Sequence, residues 1–194
     1  RELSALAQEN ETDPELRAGW LGSETEALGW AGRFEEMIAR AEVAFGILTP
    51  GSTAWCRAAA AIMLLGGGAV PMERVLAIIG SVAFLPLGPE ASLAEVRIHA
   101  VVAMLLYRAG QIELGRGVRD RVLALEPAGD GESLVRGWQE MIRIYEARFS
   151  LRRPHLTYAA ARRACACFEA AYDVRLQAFA LVDCAYAALS LGRF

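Results

Sequence analysis

The 194 residues are 55% apolar and carry a net charge of −3, which supplies ample side chain for a continuous core and excludes a disordered chain. All 20 basic residues are arginine; without lysine these residues hold no Walker-type phosphate loop, no Schiff-base amine and no nucleotide-orienting kinase lysine. Mean hydropathy is +0.27, but the most apolar runs, 58–70 and 75–87, are broken by glycine, serine or proline and fall short of the roughly 18 uninterrupted residues of a membrane span.

In chain order, Asp13-Pro14-Glu15 reads as a helix start, with a capping acid and a proline at the first helical position. That helix carries Leu16, Trp20 and Leu28 and is weakened by Gly19, Gly22 and Gly29. The turn Ala31-Gly32-Arg33-Phe34 leads into 35–48, where Phe34, Ile38, Ala41 and Phe45 share a face. Ser52 is placed to cap the next helix, 54–65, which is apolar nearly all round and closes at Gly66-Gly67-Gly68. A helix from Pro71 carries Met72, Val75, Leu76 and Ile79 and ends before Pro86-Leu87-Gly88-Pro89.

Residues 97–127 are the clearest hairpin. Ile98, Val101, Val102, Leu105 and Leu106 end at a turn containing Gly110, suited to the left-handed backbone after a helix, and a second run from Ile112 stops at Pro127, which cannot continue one. A helix from about Glu132 carries Trp138, Ile142, Tyr145 and Phe149 and turns at 150–155; Tyr158, Ala161, Cys165, Phe168 and Tyr172 line one face of the next. A last helix, 175–191, carries Ala178, Leu181, Val182, Ala185 and Leu189.

Phe34, Met72, Ile112, Leu156 and Phe194 hold comparable places just after turns, spaced 38, 40, 44 and 38 residues apart. Helix-turn-helix content at a period of this size is the pattern of a solenoid, in which each hairpin buries its open face on the next. The reading is all-α, about nine helices in one domain over 1–194, with hairpins 13–48, 53–87, 91–126 and 132–172 and an unpaired final helix 175–191. The chain reads as a segment of a longer protein.

Gly110 to Pro127, with Leu123, Leu125 and Glu126, resembles the second half of a tetratricopeptide repeat, and 31–36 and 189–194 are similar to the same turn. Gly115 stands where that family expects alanine, His99 where it often has a large aromatic, and the period exceeds the family's usual one. The longer period resembles the divergent arrays appended to bacterial regulators. The resemblance implies a right-handed superhelical array of antiparallel hairpins whose first helices line a concave groove. Transferred by position, that groove takes Arg97, Met104, Tyr107 and Arg108, continued one period later by Arg136, Gln139 and Arg143, and suits a peptide with acidic and apolar groups. The implied function is a non-catalytic protein–protein interaction scaffold in a larger bacterial signalling or transcription-regulatory protein. The alternative is an effector-sensing domain that binds a small molecule or peptide within the superhelix and regulates an attached kinase, ATPase or DNA-binding module.

No motif argues for an enzyme, a cofactor or a metal. Cys165 and Cys167, two apart on a helix, point about 200° apart; His99 and His155 have no ligand partner at metal-site spacing. The four cysteines, Cys56, Cys165, Cys167 and Cys184, lie in alanine-rich helices and read as free thiols of a cytoplasmic protein. Charge is polarised: residues 1–50 hold ten acids and four arginines, residues 97–163 seven acids and twelve arginines. Arg148, Arg152, Arg153, Arg162 and Arg163, with His155, cluster near one turn as a patch for an acidic or phosphate-bearing partner. Net negative charge without aromatic–basic interleaving argues against nucleic acid, and the open ends of a stack offer a route to a homodimer.

Overall fold

The computed structural model describes residues 14–192, without the side chains of residues 14–18, 67 and 130. The cap read at Asp13, the core place of Leu16 and the turn places of Arg193 and Phe194 lie outside the described residues. Among the described residues the chain is all-α, with nine α-helices and no strand. They are α1 (Pro14–Trp30), α2 (Phe34–Ile47), α3 (Thr53–Leu65), α4 (Met72–Phe84), α5 (Leu93–Arg108), α6 (Ile112–Leu123), α7 (Glu132–Tyr145), α8 (Pro154–Ala170) and α9 (Val174–Ser190). Short 3-10 turns fill Gly67–Ala69 and Gly129–Gly131, and a π-helical turn fills Glu146–Ser150. The chain divides after Leu85 into two compact units.

In the first unit, α3 packs on both α1 and α2. Ser52 caps α3 as the sequence implies, its hydroxyl oxygen accepting from the Trp55 N–H at 3.3 Å. Ala58, Ala59, Ala60, Ala61 and Ile62 of α3 are fully buried, and Leu21, Ala44 and Ala58 meet at a core point bordered by Phe45 and Leu48. On α2, small side chains favour one face for the inside, because they let helix backbones approach closely. α2 accordingly buries Met37, Ala41 and Ala44, while Phe34 from the expected face is exposed. α4 buries Ile78, Val82 and Ala83, and the expected Met72 and Leu76 face solvent. Arg74 joins α4 to α2 by pairing with Glu42 and lying 5.2 Å over the Phe45 ring.

In the second unit, α5 opens on a capping box that the sequence reading passed over. The Ser92 hydroxyl oxygen accepts from the Glu95 N–H, and the Glu95 carboxylate accepts from the Ser92 N–H at 2.8 Å, so two donors left over at the helix start are satisfied. α5 ends as its sequence implies. Gly110 takes φ +76°, the Gln111 N–H reaches Leu106 O at 2.9 Å, and the Gly110 N–H reaches Tyr107 O at 3.1 Å; this paired geometry is the Schellman closure. α6 and α7 both pack on α5, α8 packs on α7, and α9 packs on α8. The Trp138 and Phe168 rings meet edge-on at 6.0 Å across the α7–α8 seam.

Two details depart from the sequence reading here. α8 stops at Ala170, so Tyr172 leaves its predicted core face; it closes the helix at φ +56° and is 92% exposed. The final helix, read as unpaired, lies along α8, and the stripe it buries is Leu176, Ala180, Asp183, Cys184 and Ala187. The stripe predicted for its core, Ala178, Leu181, Val182, Ala185 and Leu189, is the one left outside or partly outside, with Leu181, Val182 and Leu189 at 51%, 69% and 60% exposure.

Candidate functional site

The residues carried over to a groove do not share a surface. Met104 and Tyr107 are core residues at 3% and 1% exposure. The Tyr107 ring lies over Gly115 of α6, where an added methyl would sit 3.5 Å from it, so the glycine makes the room that the ring fills. Burial, with Glu146 adding to it and Arg119 opposing, pushes the Tyr107 phenol up to about 12. Gln139 is also buried, its amide donating to Val122 O at 3.0 Å and Leu125 O at 3.2 Å, which fastens the end of α6 to α7. These three are corrected from binding to structural positions: transfer from the Gly110 turn, or by the period for Gln139, keeps the register but ignores the side chain, and here Met104, Tyr107 and Gln139 are buried. Arg97 is half-buried, whereas Arg108 and Arg136 are exposed; Arg136 pairs with Glu132 at 2.8 Å. Arg143 pairs at 2.5 Å with Glu140, a buried carboxylate whose other oxygen meets Arg163 at 2.9 Å.

The arginine patch divides accordingly. Arg163 belongs to that α7–α8 ion-pair bridge. Arg162 is exposed and acts electrostatically on the buried thiols Cys165 and Cys184. The remaining three, Arg148, Arg152 and Arg153, come together around an open depression of about 360 Å³, with Phe149, Pro154, Thr157, Tyr186 and Ser190 completing its wall.

Local backbone geometry builds this depression. α7 does not end in a glycine turn; its ladder widens into the π turn Glu146–Ser150, where the Leu151 N–H reaches back five residues to Glu146 O at 3.0 Å. Arg152 then takes φ +51°, and the Arg153 N–H closes on Ala147 O at 2.9 Å. A non-glycine residue in that region is costly, and here it turns two arginines outward before Pro154 starts α8.

One arginine is held rigidly. The Arg148 guanidinium donates to the Asp183 carboxylate of α9 at 3.1 Å and lies 3.8 Å from the centre of the Tyr186 ring and 5.1 Å from that of Phe149. Asp183 is 6% exposed; burial pushes its carboxyl up, and the paired arginine opposes that shift. Behind it, burial and the Asp183 charge raise the Tyr145 phenol. The hydroxyls of Thr157 and Ser190 donate to Arg153 O and Tyr186 O, so the guanidinium groups supply the N–H donors at the mouth.

Protein-family profiles, characterised proteins and solved structures give no match to this chain.

Arginines 148, 152 and 153 were legible as a patch, but Asp183, Phe149 and Tyr186 were not singled out with them. Asp183 left one trace: it is the only acid in the otherwise apolar, alanine-rich run of α9, and an isolated acid there calls for a partner from another element. Among the described residues no group of three His, Cys, Asp or Glu side chains could hold a metal ion.

Proposed function

We propose that this chain is a non-catalytic protein-interaction module, tetratricopeptide-like in kind, which holds an acidic amphipathic peptide segment against α9. The observation that carries the reading is the two-sidedness of α9. Its inner stripe is packed on α8, while Leu181, Val182, Tyr186 and Leu189 stand outside, and Tyr186, at the edge of that outer face, also lines the arginine depression. Contiguous exposed apolar surface bordered by charge is the usual mark of a partner site. Charge complementarity selects the occupant: an amphipathic helix or strand places apolar residues on the stripe and its acids toward Arg148, Arg152 and Arg153. The packing of α1 on α3 and of α5 on α7, first helix of one pair on first helix of the next, supports the repeat-array resemblance. The depression is open to solvent, which favours a peptide surface over an enclosed effector cavity. A role within a larger bacterial signalling or transcription-regulatory protein in the cytoplasm belongs to the same proposal, carried by the resemblance alone.

The test is fluorescence anisotropy with a labelled acidic amphipathic probe peptide, beside light scattering at two protein concentrations. The expected result is binding that weakens about tenfold or more with Leu181→Asp and with the double change Arg152→Glu, Arg153→Glu. A probe that does not bind, or binds these variants as well as wild type, overturns the reading. A dimer abolished by Leu181→Asp makes the stripe a self-association surface instead.

A further inference from the structure

We propose that the depression between the π turn and α9 is a receptor for a phosphoryl group, carried on a side chain of the peptide that docks on α9; this rests on the interaction reading above. The charge balance points to a dianion. Three arginines line the depression, and among the described residues the one carboxylate paired with them, Asp183, balances only Arg148. Among the described residues Arg152 and Arg153 form no ion pair, and both are exposed, so two positive charges remain at the mouth. A carboxylate offers one negative charge, whereas a phosphorylated side chain offers about 1.5 to 2 at neutral pH and three strong acceptor oxygens.

The donor geometry agrees. Guanidinium groups bind phosphate oxygens in bidentate fashion, and the neighbouring hydroxyls are already committed to backbone carbonyls. Arg148 is set in place by Asp183 below and Tyr186 beside it, so little side-chain freedom is lost when it takes a ligand. The chain enters α8 here through Pro154 with no side-chain cap, and the helix start adds positive potential of the same sign. The apolar walls of Phe149, Tyr186 and Pro154 receive the carbon portion that bears the phosphate. At about 360 Å³ the space is at the small end of ligand pockets, fitting one modified side chain rather than a folded domain.

The experiment uses the whole chain and three probes: phenyl phosphate, benzenesulfonate as its monoanionic counterpart, and the acidic amphipathic peptide with and without one phosphotyrosine. Binding of the small probes is followed by NMR shifts of the arginine Nε–H signals, and of the peptides by anisotropy. The expected results are a phenyl phosphate affinity at least about tenfold above that of benzenesulfonate, a similar or larger gain of the phosphopeptide over its plain form, and loss of both in the double variant Arg152→Glu, Arg153→Glu. Those two side chains are exposed, and an unchanged helical melt shows that the fold survives. Equal binding of phenyl phosphate and benzenesulfonate overturns the dianion assignment. Phenyl phosphate binding with no gain for the phosphopeptide overturns the peptide as its source in favour of a soluble phosphate monoester. A plain peptide that binds in a Leu181-dependent way while phosphate adds nothing sinks this inference and leaves the interaction reading standing; failure of every probe sinks both.

Discussion

Gly115 and Gly137 sit on neighbouring helices and look alike in the sequence, yet their surroundings are opposite. A Cβ at Gly115 would lie 3.5 Å from Leu106 and the Tyr107 ring, an ordinary contact distance. Gly115→Ala therefore gains helix propensity and some packing without a clash, and we expect the unfolding free energy to rise by about 0.5–1 kcal/mol. A Cβ at Gly137 would meet the Phe168 ring at 2.4 Å, and that ring is 1% exposed and held against Trp138. The same propensity gain is outweighed by overpacking at about 1–3 kcal/mol, so Gly137→Ala is expected to lower stability. Denaturant melts of the two variants check the pair; a destabilised Gly115→Ala, or a stabilised Gly137→Ala, would contradict the packing described. The sequence could mark Gly115 as a departure from the repeat pattern, but only the ring of Tyr107 explains how its neighbourhood closed around the missing methyl.

Helices are where the sequence was most informative, and also where one physical ambiguity defeated it. The C-terminal end of α5 could be anticipated from Gly110, and the cap of α3 from Ser52, because those signals act within a few residues. The inward faces of α2, α4 and α9 could not, because each carries apolar residues on more than one side and the choice between them is made by the neighbouring helix. On α9, alanines and Cys184 won over Leu181 and Leu189. The seam this creates with α8 has a chemical consequence. The buried Cys165 thiol donates to the Cys184 sulfur, and burial first, then its partner, pushes Cys165 up to about 11 from 9.0. A raised thiol pKa means less thiolate at every pH below it, by about a hundredfold for two units. Burial and the Glu140 charge raise the Cys167 thiol too, but it is half-buried where Cys165 is buried, so alkylation by iodoacetamide at about pH 8 should mark Cys167 before Cys165, with the Cys165 rate still climbing as the pH approaches 11; mass spectrometry of timed samples reads this directly. Equal early labelling of Cys165 would show that the seam opens.

At the scale of the molecule, the all-α class and the number of helices were readable because turn residues recur at near-constant intervals. The division after Leu85 was less visible: Pro86-Leu87-Gly88-Pro89 looked like any other turn, and nothing in it signals that contacts on either side are mostly kept within their own unit. Of the candidate site, the arginines were legible as charge and the depression was not, since its walls come from the π turn, the connection after it, α8 and α9 together and its shape from a backbone widening with no sequence signature. The second unit has its own buried core around Trp138, Tyr107 and Phe168, so a fragment of residues 86–194 is expected to fold alone. Cooperative thermal loss of its helical circular dichroism would bear this out, and a non-cooperative, largely unfolded fragment would refute it.

The π turn at Glu146–Ser150 gives this architecture an unusual sensitivity to insertion and deletion. It holds one residue more than an ordinary helical turn, so removing Ser150 from it lets the ladder relax to the regular spacing. Helix content and core composition would survive such an edit almost intact, but Arg148 and Arg152, now four residues apart, would stand three apart, a change of about 100° around the axis, which takes Arg152 and Arg153 out of their place beside Arg148. A lineage could thus silence the arginine cluster by losing one codon, without touching any of the residues that form it.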